Sequence, residues 1–412
     1  MHYPAEYGGG IYVDNGSVTL TNSTVSGNSA NSWGGGIFMD NGSVTLTNST
    51  VSGNSAEYGG GIYVDFGSVT LTNSTVSGNF ADEDGGGIFM DDGPVMLNNS
   101  TIAFNTAAGD TGGGIAVGDD NTHTINNSLI ANNTNATAPN IGIYDGTHTF
   151  NITNSLIVST TGMTGIGVPT NGVNGNIVGV DPKLGPLANN GGPTQTHAIL
   201  PGSPAINAGN NALATGLTTD QRGAPGARIV GGTVDMGAFE FQGAAITPVA
   251  PQNQTITKLT NLDVSVRVAE AVFGIVPIQG ASVSFTANGA TGTFTNGATV
   301  LTNAQGIAFN AFNATDALGS FSVLAQLTDA TLLTFGAVTP LTFNFTYLDF
   351  DLIRRIWHDP LAATPPDRFV LGRACATIPE LEQTEQEEPN PEEAMESMAV
   401  EFDEKCLPLN QE

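Results

Sequence analysis

Aspartate side chains return at a nearly constant interval in the first hundred residues of the chain. Asp14, Asp40, Asp65 and Asp91 are separated by 26, 25 and 26 residues. If these positions stack in a repeating structure, neighbouring carboxylates repel each other and need water, a proton or a cation. Calcium takes about six to eight oxygen ligands, so a weak calcium site is one interpretation, although no cofactor is required. The simpler interpretation is a turn residue with its carboxylate in water.

Aromatic side chains follow the same interval, two positions before each of these aspartates. Tyr12, Phe38, Tyr63 and Phe89 are expected to form an outward column beside the carboxylates. A stack of rings offers flat apolar faces of the kind that pack against sugar rings. The same stack could serve only to cover the layers beneath it. A glycan-stacking strip and a structural cover therefore both stay open.

Short strands repeated about every 26 residues must position these side chains. A Gly-Gly-Gly-Ile motif recurs, and each copy leads into an alternation such as Ile11-Tyr12-Val13-Asp14, a turn, and Val18-Thr19-Leu20-Thr21. The isoleucines of the motif are Ile11, Ile37, Ile62, Ile88 and Ile115. Period-two alternation between Gly and Asn turns, without helical periodicity, predicts one coil of a parallel β-helix per repeat. One coil buries too little apolar surface to fold alone, so the coils must stack.

Asparagine marks two further columns at the turns of the predicted coils. The first comprises Asn22, Asn48, Asn73, Asn99, Asn127 and Asn154, and the second Asn28, Asn54, Asn79, Asn105 and Asn133. Amide side chains both donate and accept hydrogen bonds, so each column can bond along itself and to the turn backbone. We interpret both columns as structural ladders.

The pairing of Gly-Gly-x-Ile with Val/Ile-x-x-Asn resembles the repeats of polymorphic outer-membrane proteins and related bacterial right-handed β-helix surface proteins. That family more often has Phe where Val25, Val51, Val76 and Ile102 stand here, so the resemblance is to the broad group. It implies an all-β fold, with a right-handed parallel β-helix of the pectin-lyase-like class over residues 1–180. Because the first glycine run follows Met1 almost at once, we expect a chain that is N-terminally incomplete and shows no signal peptide.

Residues 181–242 are rich in proline and glycine turns. The segment includes Leu200-Pro201-Gly202-Ser203-Pro204 and ends in Asp235-Met236-Gly237-Ala238-Phe239-Glu240. It resembles the choice-of-anchor Q domain, which ends many bacterial β-helix surface proteins. Because the last coil of a solenoid exposes unpaired backbone, we expect this segment to be a C-terminal cap. Arg222 should form an ion pair in it with a carboxylate such as Asp220, Asp235 or Glu240.

The remaining residues divide into a linker, a second module and a tail. We interpret 243–253 as a linker, and strand patterns at about ten-residue spacing over 254–348 predict a β-sandwich. Motifs such as Thr302-Asn303-Ala304-Gln305-Gly306 resemble bacterial immunoglobulin-like domains of the invasin/intimin type, which space or present binding regions. The acidic composition of 349–412 favours a partly disordered tail. Cys375 and Cys406 within it could form a disulfide.

The charge balance excludes several classes of partner. The chain has 38 acidic and 10 basic residues, a formal charge of −28, and no Lys or Arg before Lys183. Nucleic acids and anionic membrane surfaces both need clustered Lys or Arg. No apolar run reaches the roughly 18–20 residues of a membrane-spanning helix. We therefore expect an extracellular or cell-surface protein, either a monomer or part of a longer chain.

These features favour a non-enzymatic surface or secreted protein, an adhesin or structural rod that binds polysaccharide, cell-surface glycan or protein. The alternative is a polysaccharide-degrading enzyme, because β-helices also host pectate lyases and polygalacturonases. Lyases of that fold use calcium and an arginine base, and the predicted coils contain no arginine. Inverting hydrolases need two carboxyls about 6.5–9.5 Å apart, for which the candidates are Asp91, Asp92, Asp119 and Asp120.

Two weaker sequence patterns are further candidates for a functional site. A Thr-x-Thr ladder on three coils suggests ice binding, but it fails at Met96 and Asn98, and ordinary outward polar positions explain it more simply. His197 could form a catalytic group with Asp220 and Glu240, but no nucleophile motif accompanies it. A structural role is the simpler interpretation of both patterns.

Overall fold

The computed structural model describes residues 5–347, except for the side chains of residues 316–318. The predicted acidic tail over 349–412, with Cys375 and Cys406, lies outside the described residues. Within the described part of the chain, no helix is long and apolar enough to cross a membrane.

A parallel sheet, here called the long sheet, runs through six stacked coils. In each coil it consists of one strand or of two short strands separated by a turn. The bounds are Ile11–Thr21, Ile37–Thr47, Ile62–Thr72, Ile88–Asp92 with Val95–Asn98, Ile115–Val117 with Thr122–Asn126, and Ile141–Ile143 with Thr149–Thr153. Successive coils pair without a register shift, so that Ile11 faces Ile37 and Thr21 faces Thr47. Equivalent residues of the repeat therefore lie directly above one another.

A second sheet and shorter pairings complete the coils. The second sheet is also parallel and contains Thr24–Ser26, Thr50–Ser52, Thr75–Ser77, Thr101–Ala103, Leu129–Ala131, Leu156–Ile157 and Ile177–Val178. One shorter pairing joins Ala5–Tyr7 to Ala30–Trp33. Another sheet has Phe80–Ala81 as its middle strand, between Ser55–Ala56 and Thr106–Ala107. Alternate Val, Ile, Leu and Met side chains of these strands point inward and form a continuous buried core. This arrangement is the one that the period-two alternation predicts.

The glycine run of each repeat turns the chain into the long sheet. Gly34 has a φ of 65°, a left-handed conformation that side chains rarely adopt. Two residues later, a methyl group on Gly36 would come within 2.6 Å of the carbonyl oxygen of Gly61 in the next coil. The recurrence of the motif thus follows from backbone conformation at its first glycine and from close packing of coils at its last.

Residues 158–176 follow the last full coil and include a short 3-10 helix, Val173–Gly175. Met163 and Val168 of this stretch pack against the apolar core of the solenoid. Ile166 also forms a bridge to Thr149 of the last long-sheet strand. This stretch thus contributes to closing the core at the end of the coils.

Residues 181–242, here called the lateral segment, run along the side of the solenoid, from the last coil back to the second. The segment contains an antiparallel pair, Leu184–Ala188 with Thr196–Ile199, and a short 3-10 helix, Asn211–Ala214. It meets the solenoid through Thr194 Oγ1 to Asn48 O at 3.1 Å, Asn73 Nδ2 to Thr219 O at 2.9 Å, and Ala238 N to Thr101 Oγ1 at 3.0 Å. The predicted terminal cap is therefore wrong in position. Polar groups along the side of the solenoid give this segment hydrogen-bond partners over five coils.

Two further sheets form the β-sandwich. The smaller contains Ala244–Pro248, Val266–Glu270 and Ile307–Ala308, and the larger contains Asn253–Ile256, Leu341–Tyr347, Ala311–Leu327, Ser282–Phe294, Thr299–Leu301 and Leu262–Asp263. A 3-10 helix, Leu332–Phe335, precedes the last strand. The linker predicted for 243–253 is wrong, because Ala244–Pro248 pairs antiparallel with Val266–Glu270. Its prolines concealed a strand that lies at a sheet edge, where proline is tolerated.

One hydrophobic core joins the sandwich to the side of the solenoid. Leu129 and Leu156 of the second sheet belong to the same buried cluster as Phe239 of the lateral segment and Val266 and Phe343 of the sandwich. The lateral segment therefore lies between two β structures and packs against both.

Candidate functional site

An inner row of aromatic rings stacks along the long sheet, one ring per coil. Its members are Tyr12, Phe38, Tyr63 and Phe89. The ring centroids of successive members are 5.3, 5.6 and 5.0 Å apart, with interplanar angles of 14°, 23° and 4°. Unshifted register between the coils holds the rings nearly parallel. The column predicted from the repeat interval therefore exists, and its rings are in contact.

An outer row of rings lies across the inner row. It consists of Tyr7, Trp33 and Tyr58, each of which directly precedes a Gly-Gly-Gly run. Their backbones pair from coil to coil, Tyr7 with Trp33 and Trp33 with Tyr58. The Trp33 ring stacks on Tyr63 at 5.5 Å, and Tyr58 meets Phe89 edge-on at 5.8 Å. The two rows together are called the aromatic strip below.

Burial divides the strip into a floor and a surface. Phe38, Tyr63 and Phe89 are only 4%, 7% and 2% exposed, whereas Tyr12 is 53% exposed. The four rings lie outside the core of the coils, as expected, but three of them are buried because the outer row covers them. The rings that meet solvent are Tyr12 and the half-buried outer row. The recurrence of an aromatic residue just before the glycine run is the sequence signal that could have found them.

A pocket opens where both rows lose their rings. The inner row continues after Phe89 as Ala116 and Gly142, and the outer row continues after Tyr58 as Asp84 and Thr111. Small residues at these positions leave a depression of about 280 Å³, whose lining includes Asp84, Asp110, Thr111, Thr137 and Tyr144. The Tyr144 ring meets Phe89 edge-on at 5.2 Å. The pocket is therefore continuous with the end of the aromatic strip.

Asp84 is the buried carboxylate of this pocket, with only 5% of its surface exposed. Its Oδ1 accepts a hydrogen bond from Thr111 N at 2.7 Å. Burial raises the pKa of Asp84, although backbone N–H donors from Thr111 and Asp110 oppose the shift. Burial, followed by the nearby Glu83 and Glu57, also raises the pKa of Tyr58. The end of the strip thus carries several acidic side chains, and the coils supply no Lys or Arg to balance them.

The aspartate column lies beside the inner row, as the register of the long sheet requires. Hydrogen bonding to Asp14 is the largest cause that raises the pKa of Asp40, while burial is the largest cause for Asp65 and Asp91. Neighbouring carboxyls therefore favour sharing a proton over full ionisation. Among residues 5–347, no group of three or more His, Cys, Asp or Glu side chains could hold a metal ion. Calcium binding by the column stays a prediction.

The carboxylates considered for hydrolysis have local partners in the turns between coils. Asp92 Oδ1 accepts from Asn121 Nδ2 at 3.1 Å, and Asp120 Oδ1 accepts from Thr147 N at 2.5 Å. Asp119 adopts a left-handed turn conformation with a φ of 55°. These bonds give Asp92 and Asp120 roles in holding turns.

The second asparagine column is a buried hydrogen-bonded ladder. From Asn28 to Asn133, each side-chain Nδ2 donates to the Oδ1 of the next member at 2.9 Å, and Asn133 continues to Asn140 at 3.1 Å. Each Oδ1 from Asn54 to Asn133 also accepts the backbone N–H of the preceding member. The ladder thus bonds along itself and to turn backbone, the pattern that amide chemistry predicts.

The first asparagine column behaves differently. All six members have left-handed φ values of 45–50°, and no hydrogen bond among the described residues joins one member to the next through side chains. Three of the side chains donate instead to the lateral segment: Asn73 to Thr219 O, Asn127 to Asn210 O and Asn154 to Ala208 O. The ladder predicted for this column is wrong, because a left-handed turn directs these amides away from their neighbours.

Arg222 and Arg228 form a buried ionic network in the lateral segment. Arg222 Nη2 lies 2.8 Å from Asp220 Oδ2, and its Nη1 lies 3.4 Å from Glu270 Oε1 of the sandwich. The carboxylate of Glu240 lies 3.6 Å from Arg228. The predicted pairing of Arg222 with Asp220 thus occurs, but its pairing with the side chain of Glu240 does not. Glu270 was missed because it stands 48 residues from Arg222 in the sequence, whereas Arg228 is close to Arg222 in the sequence and was not considered.

Asp235 and Glu240 lie against Arg228 in the same network. Arg228 Nη2 donates to the backbone O of Asp235 at 2.7 Å. Burial raises the pKa of Asp235 to about 7 and that of Glu240 to about 9. Every one of these charged side chains is fully enclosed. Such a network organises the lateral segment internally.

His197 does not join Asp220 and Glu240. Its Nδ1 lies 2.8 Å from Gly185 O and its Nε2 lies 2.7 Å from Ser77 Oγ, so it connects the lateral segment to the second sheet. Both Ser77 and His197 are buried. This geometry supports a structural role for the histidine.

Comparison with known protein families supports the β-helix fold of the coils. A family model described as right handed beta helix region matches residues 9–179. No curated protein matches the chain. The matched residues coincide with the six coils of the long sheet and with the stretch that follows them. The N-terminal part of this chain is therefore a right-handed parallel β-helix of the pectin-lyase-like kind.

Proposed function

We propose that this chain is a non-enzymatic cell-surface or secreted β-helix protein that binds glycans through the aromatic strip. The observation that carries the proposal is the outer row of half-buried rings supported by a stacked inner row. Rings spaced by one coil, about 4.8 Å, form a narrow apolar path along the rod. Such a path suits an extended polysaccharide chain. An adhesin or a structural surface protein would use it in this way.

The inner row supports the outer row rigidly, which favours a role of the strip in glycan binding over a role only in covering the coils. The Trp33 ring stacks on Tyr63 and also on Phe38 at 5.9 Å, so its orientation is fixed before any ligand arrives. Fixed side chains lose little conformational entropy on binding. The outer-row rings are also only half-buried, so part of each ring stays in solvent. These features support a preformed sugar platform.

Charge limits the ligands and supports an exterior location. The first 182 residues contain 15 acidic residues and no Lys or Arg. Glycans rich in carboxylates or sulfates would be repelled by this surface unless cations were present. The proposed ligands are therefore glycans without a large negative charge, at the cell surface or outside the cell.

A polysaccharide-degrading enzyme is the second candidate function. It is favoured by the pocket, where the buried carboxyl of Asp84 lies near the exposed Asp110. A carboxyl whose pKa is raised by burial can act as a general acid, and an exposed carboxylate can act as a base. Shortening of a polymer by the protein, lost in Asp84→Asn, would establish this function in place of binding alone.

Size-exclusion chromatography of the full chain with neutral, amino-sugar and acidic polysaccharides tests the proposal. We expect intact polymer to co-elute with the protein, and Trp33→Ala to weaken the association about tenfold, because one well-packed ring contributes about 1–2 kcal/mol. Phe309→Ala is the matched control, since that ring is exposed in the sandwich. Equal loss in both variants, or no co-elution with any polymer, would contradict a glycan-binding strip.

A further inference from the structure

We propose that the pocket at the end of the aromatic strip binds the protonated amine of an amino sugar. The preferred ligand is then a glycan with free amino groups, such as a partly N-deacetylated hexosamine polymer. This inference rests on the proposed function, because it names the glycan class that the strip would take.

The pocket lies where a polymer on the strip would continue. Tyr58 and Tyr144 both contact Phe89 in T-shaped arrangements, with ring centroids 5.8 and 5.2 Å away, so they flank the last ring of the inner row. Beyond Phe89 the ring is replaced by Ala116. A chain that stacks on the outer row therefore meets a depression of about 280 Å³ at the next coil.

The hydrogen-bonding groups of the pocket are mostly acceptors. The backbone N–H of Thr111 donates to Asp84, and the Thr137 hydroxyl donates to the backbone O of Asp110. The backbone N–H of Thr137 and of Ala138 both donate to Asn135 Oδ1. With these donors engaged, the carboxylates of Asp84 and Asp110 remain as acceptors for a ligand. An ammonium group supplies three N–H donors and no acceptor, which complements this lining.

The charges around the pocket also favour a protonated amine as the ligand. The coils contain no Lys or Arg, so a cation that pairs with the Asp84 carboxylate would come from outside them. Glu57 and Glu83 lie close enough to Tyr58 to raise the pKa of its phenol, which adds to the negative potential at this end of the strip. A cation near the faces of Tyr58 and Tyr144 would also gain cation–π attraction. A neutral sugar would gain neither effect.

The experiment compares two chito-oligosaccharides of equal length, one fully N-acetylated and one N-deacetylated, by isothermal titration with the full chain. We expect the deacetylated oligomer to bind roughly 10–100 times more tightly, as charge-assisted hydrogen bonds typically add. Poly-L-lysine at the same charge and salt concentration serves as the probe for binding by charge alone. It should bind more weakly than the deacetylated oligomer and should be unaffected by Trp33→Ala.

Two variants test the assignment. Asp84→Asn and Asp110→Asn should each reduce the preference for the amine about tenfold while leaving the affinity for the acetylated oligomer nearly unchanged. Because Asp110 is exposed, its variant is expected to fold even if Asp84→Asn does not. Asp181→Asn is the control, since it removes one exposed charge away from the pocket and Asn can still accept from Lys183 N.

The outcomes separate the two proposals. Equal affinity for the two oligomers, or a preference that survives in both pocket variants, would overturn the amine site and leave glycan binding by the strip intact. Binding of poly-L-lysine as tightly as the deacetylated oligomer would overturn it as well. If neither oligomer nor any neutral polysaccharide binds, the proposed function fails together with this inference.

Discussion

At the scale of single residues, the fold holds the carboxyl groups of the aspartate column close together although they repel one another when ionised. Asp40, Asp65 and Asp91 occupy successive coils, and the pKa of each is raised. Such a group stabilises the fold fully below its unfolded pKa, near 3.8, and loses that contribution as pH rises through its folded pKa. The column should therefore be least favourable to the fold at neutral pH and above.

Replacing Asp65 by Asn should raise the melting temperature at neutral pH, because an amide carries no charge and can bond to both neighbouring carboxyls. We expect a gain below about 1 kcal/mol, since the carboxylate is partly solvated. The gain should shrink as the pH falls toward 4. Thermal melting of the variant and the original protein across this range checks it, and a loss of stability at neutral pH would contradict the account.

The calcium interpretation has its own test in the same column. Any calcium-dependent rise in melting temperature should fall in the double variant Asp40→Asn with Asp65→Asn, because both changes remove carboxylate ligands. Asp181→Asn, away from the column, provides the control. A calcium shift of unchanged size in the double variant would remove the column as its source.

Two histidines inside the last coils predict a different pH response. His123 Nε2 lies 2.9 Å from His148 Nδ1, while His123 Nδ1 accepts from Val95 N and His148 Nε2 lies 2.7 Å from Asp145 O. A proton on His123 Nδ1 would face the Val95 N–H. Burial and the neighbouring His148 lower the pKa of His123 to about 4. His123 is therefore expected to be neutral in the folded protein.

The contribution of His123 to stability should consequently fall as the pH drops from about 6.5 toward 4, because the unfolded chain binds a proton that buried His123 does not. The loss from His123 is at most about 3 kcal/mol. His123→Asn should flatten this part of the stability profile, measured by denaturant unfolding at several pH values. His197, whose pKa burial also lowers, adds to the slope, so His197→Asn is the comparison. An unchanged slope in His123→Asn would contradict the proposed hydrogen-bond chain.

At the scale of elements, the two asparagine columns have the same spacing but different structural roles. Asn79 bonds to Asn105 Oδ1 and Val51 O through Nδ2, and its Oδ1 accepts from Asn54 N and Nδ2. Asn73 makes one side-chain hydrogen bond, to Thr219 O of the lateral segment. The second column therefore couples coils, whereas the first contacts the lateral segment.

Asn79→Ala should cost about 3 kcal/mol or more, because it leaves several buried partners unpaired. Asn73→Ala should cost about 1–2 kcal/mol, for one lost bond and a left-handed turn that Asn tolerates better. Chemical denaturation of the two variants gives the comparison. Equal costs would mean that the ladder contributes nothing beyond its turn, contrary to the account.

How far the sequence predicts these elements depends on how local the determining contacts are. The coils could be predicted because Gly34 and its equivalents recur at the interval of one turn and the apolar residues alternate between them. The lateral position of residues 181–242 could not, because contacts such as Thr194 to Asn48 join residues 146 positions apart. The strand Ala244–Pro248 was hidden by its prolines.

The candidate site shows the same limit. Tyr12, Phe38, Tyr63 and Phe89 could be placed in one column by spacing alone. Which rings face solvent depends on the outer row, whose side chains come from a different part of each coil. The pocket also escaped prediction, because it is created by what Ala116 and Gly142 lack and not by a motif.

At the scale of the whole molecule, the lateral segment and the sandwich share an apolar cluster with Leu129 and Leu156 of the second sheet, and a buried ion pair joins the lateral segment to the sandwich. The core inside the coils is a separate cluster. Arg222 of the lateral segment is enclosed between the rings of Phe239 and Phe273, with centroid distances of 3.8 and 4.3 Å. It also reaches Glu270 of the sandwich. These contacts favour one cooperative unit over independent modules joined by a linker.

Glu270→Ala should therefore destabilise the whole molecule, by about 3–5 kcal/mol, because it leaves Arg222 partly unpaired in a buried site. Differential scanning calorimetry of the full chain should show the main transition moving to lower temperature as one peak. Exposed Asp82→Ala serves as the control. A sandwich transition that shifts alone, with the solenoid transition unmoved, would contradict the shared core.

The central claim, that the aromatic strip binds glycans, is tested most directly by the fluorescence of Trp33. The sequence contains two tryptophans, Trp33 and Trp357, so Trp357→Phe makes the signal specific. Titration with a bound polysaccharide should shift the Trp33 emission to shorter wavelength and protect it from acrylamide quenching, because a sugar would cover the solvent-exposed part of the half-buried ring. A polysaccharide that binds the chain and leaves both signals unchanged would place its site elsewhere and contradict the account.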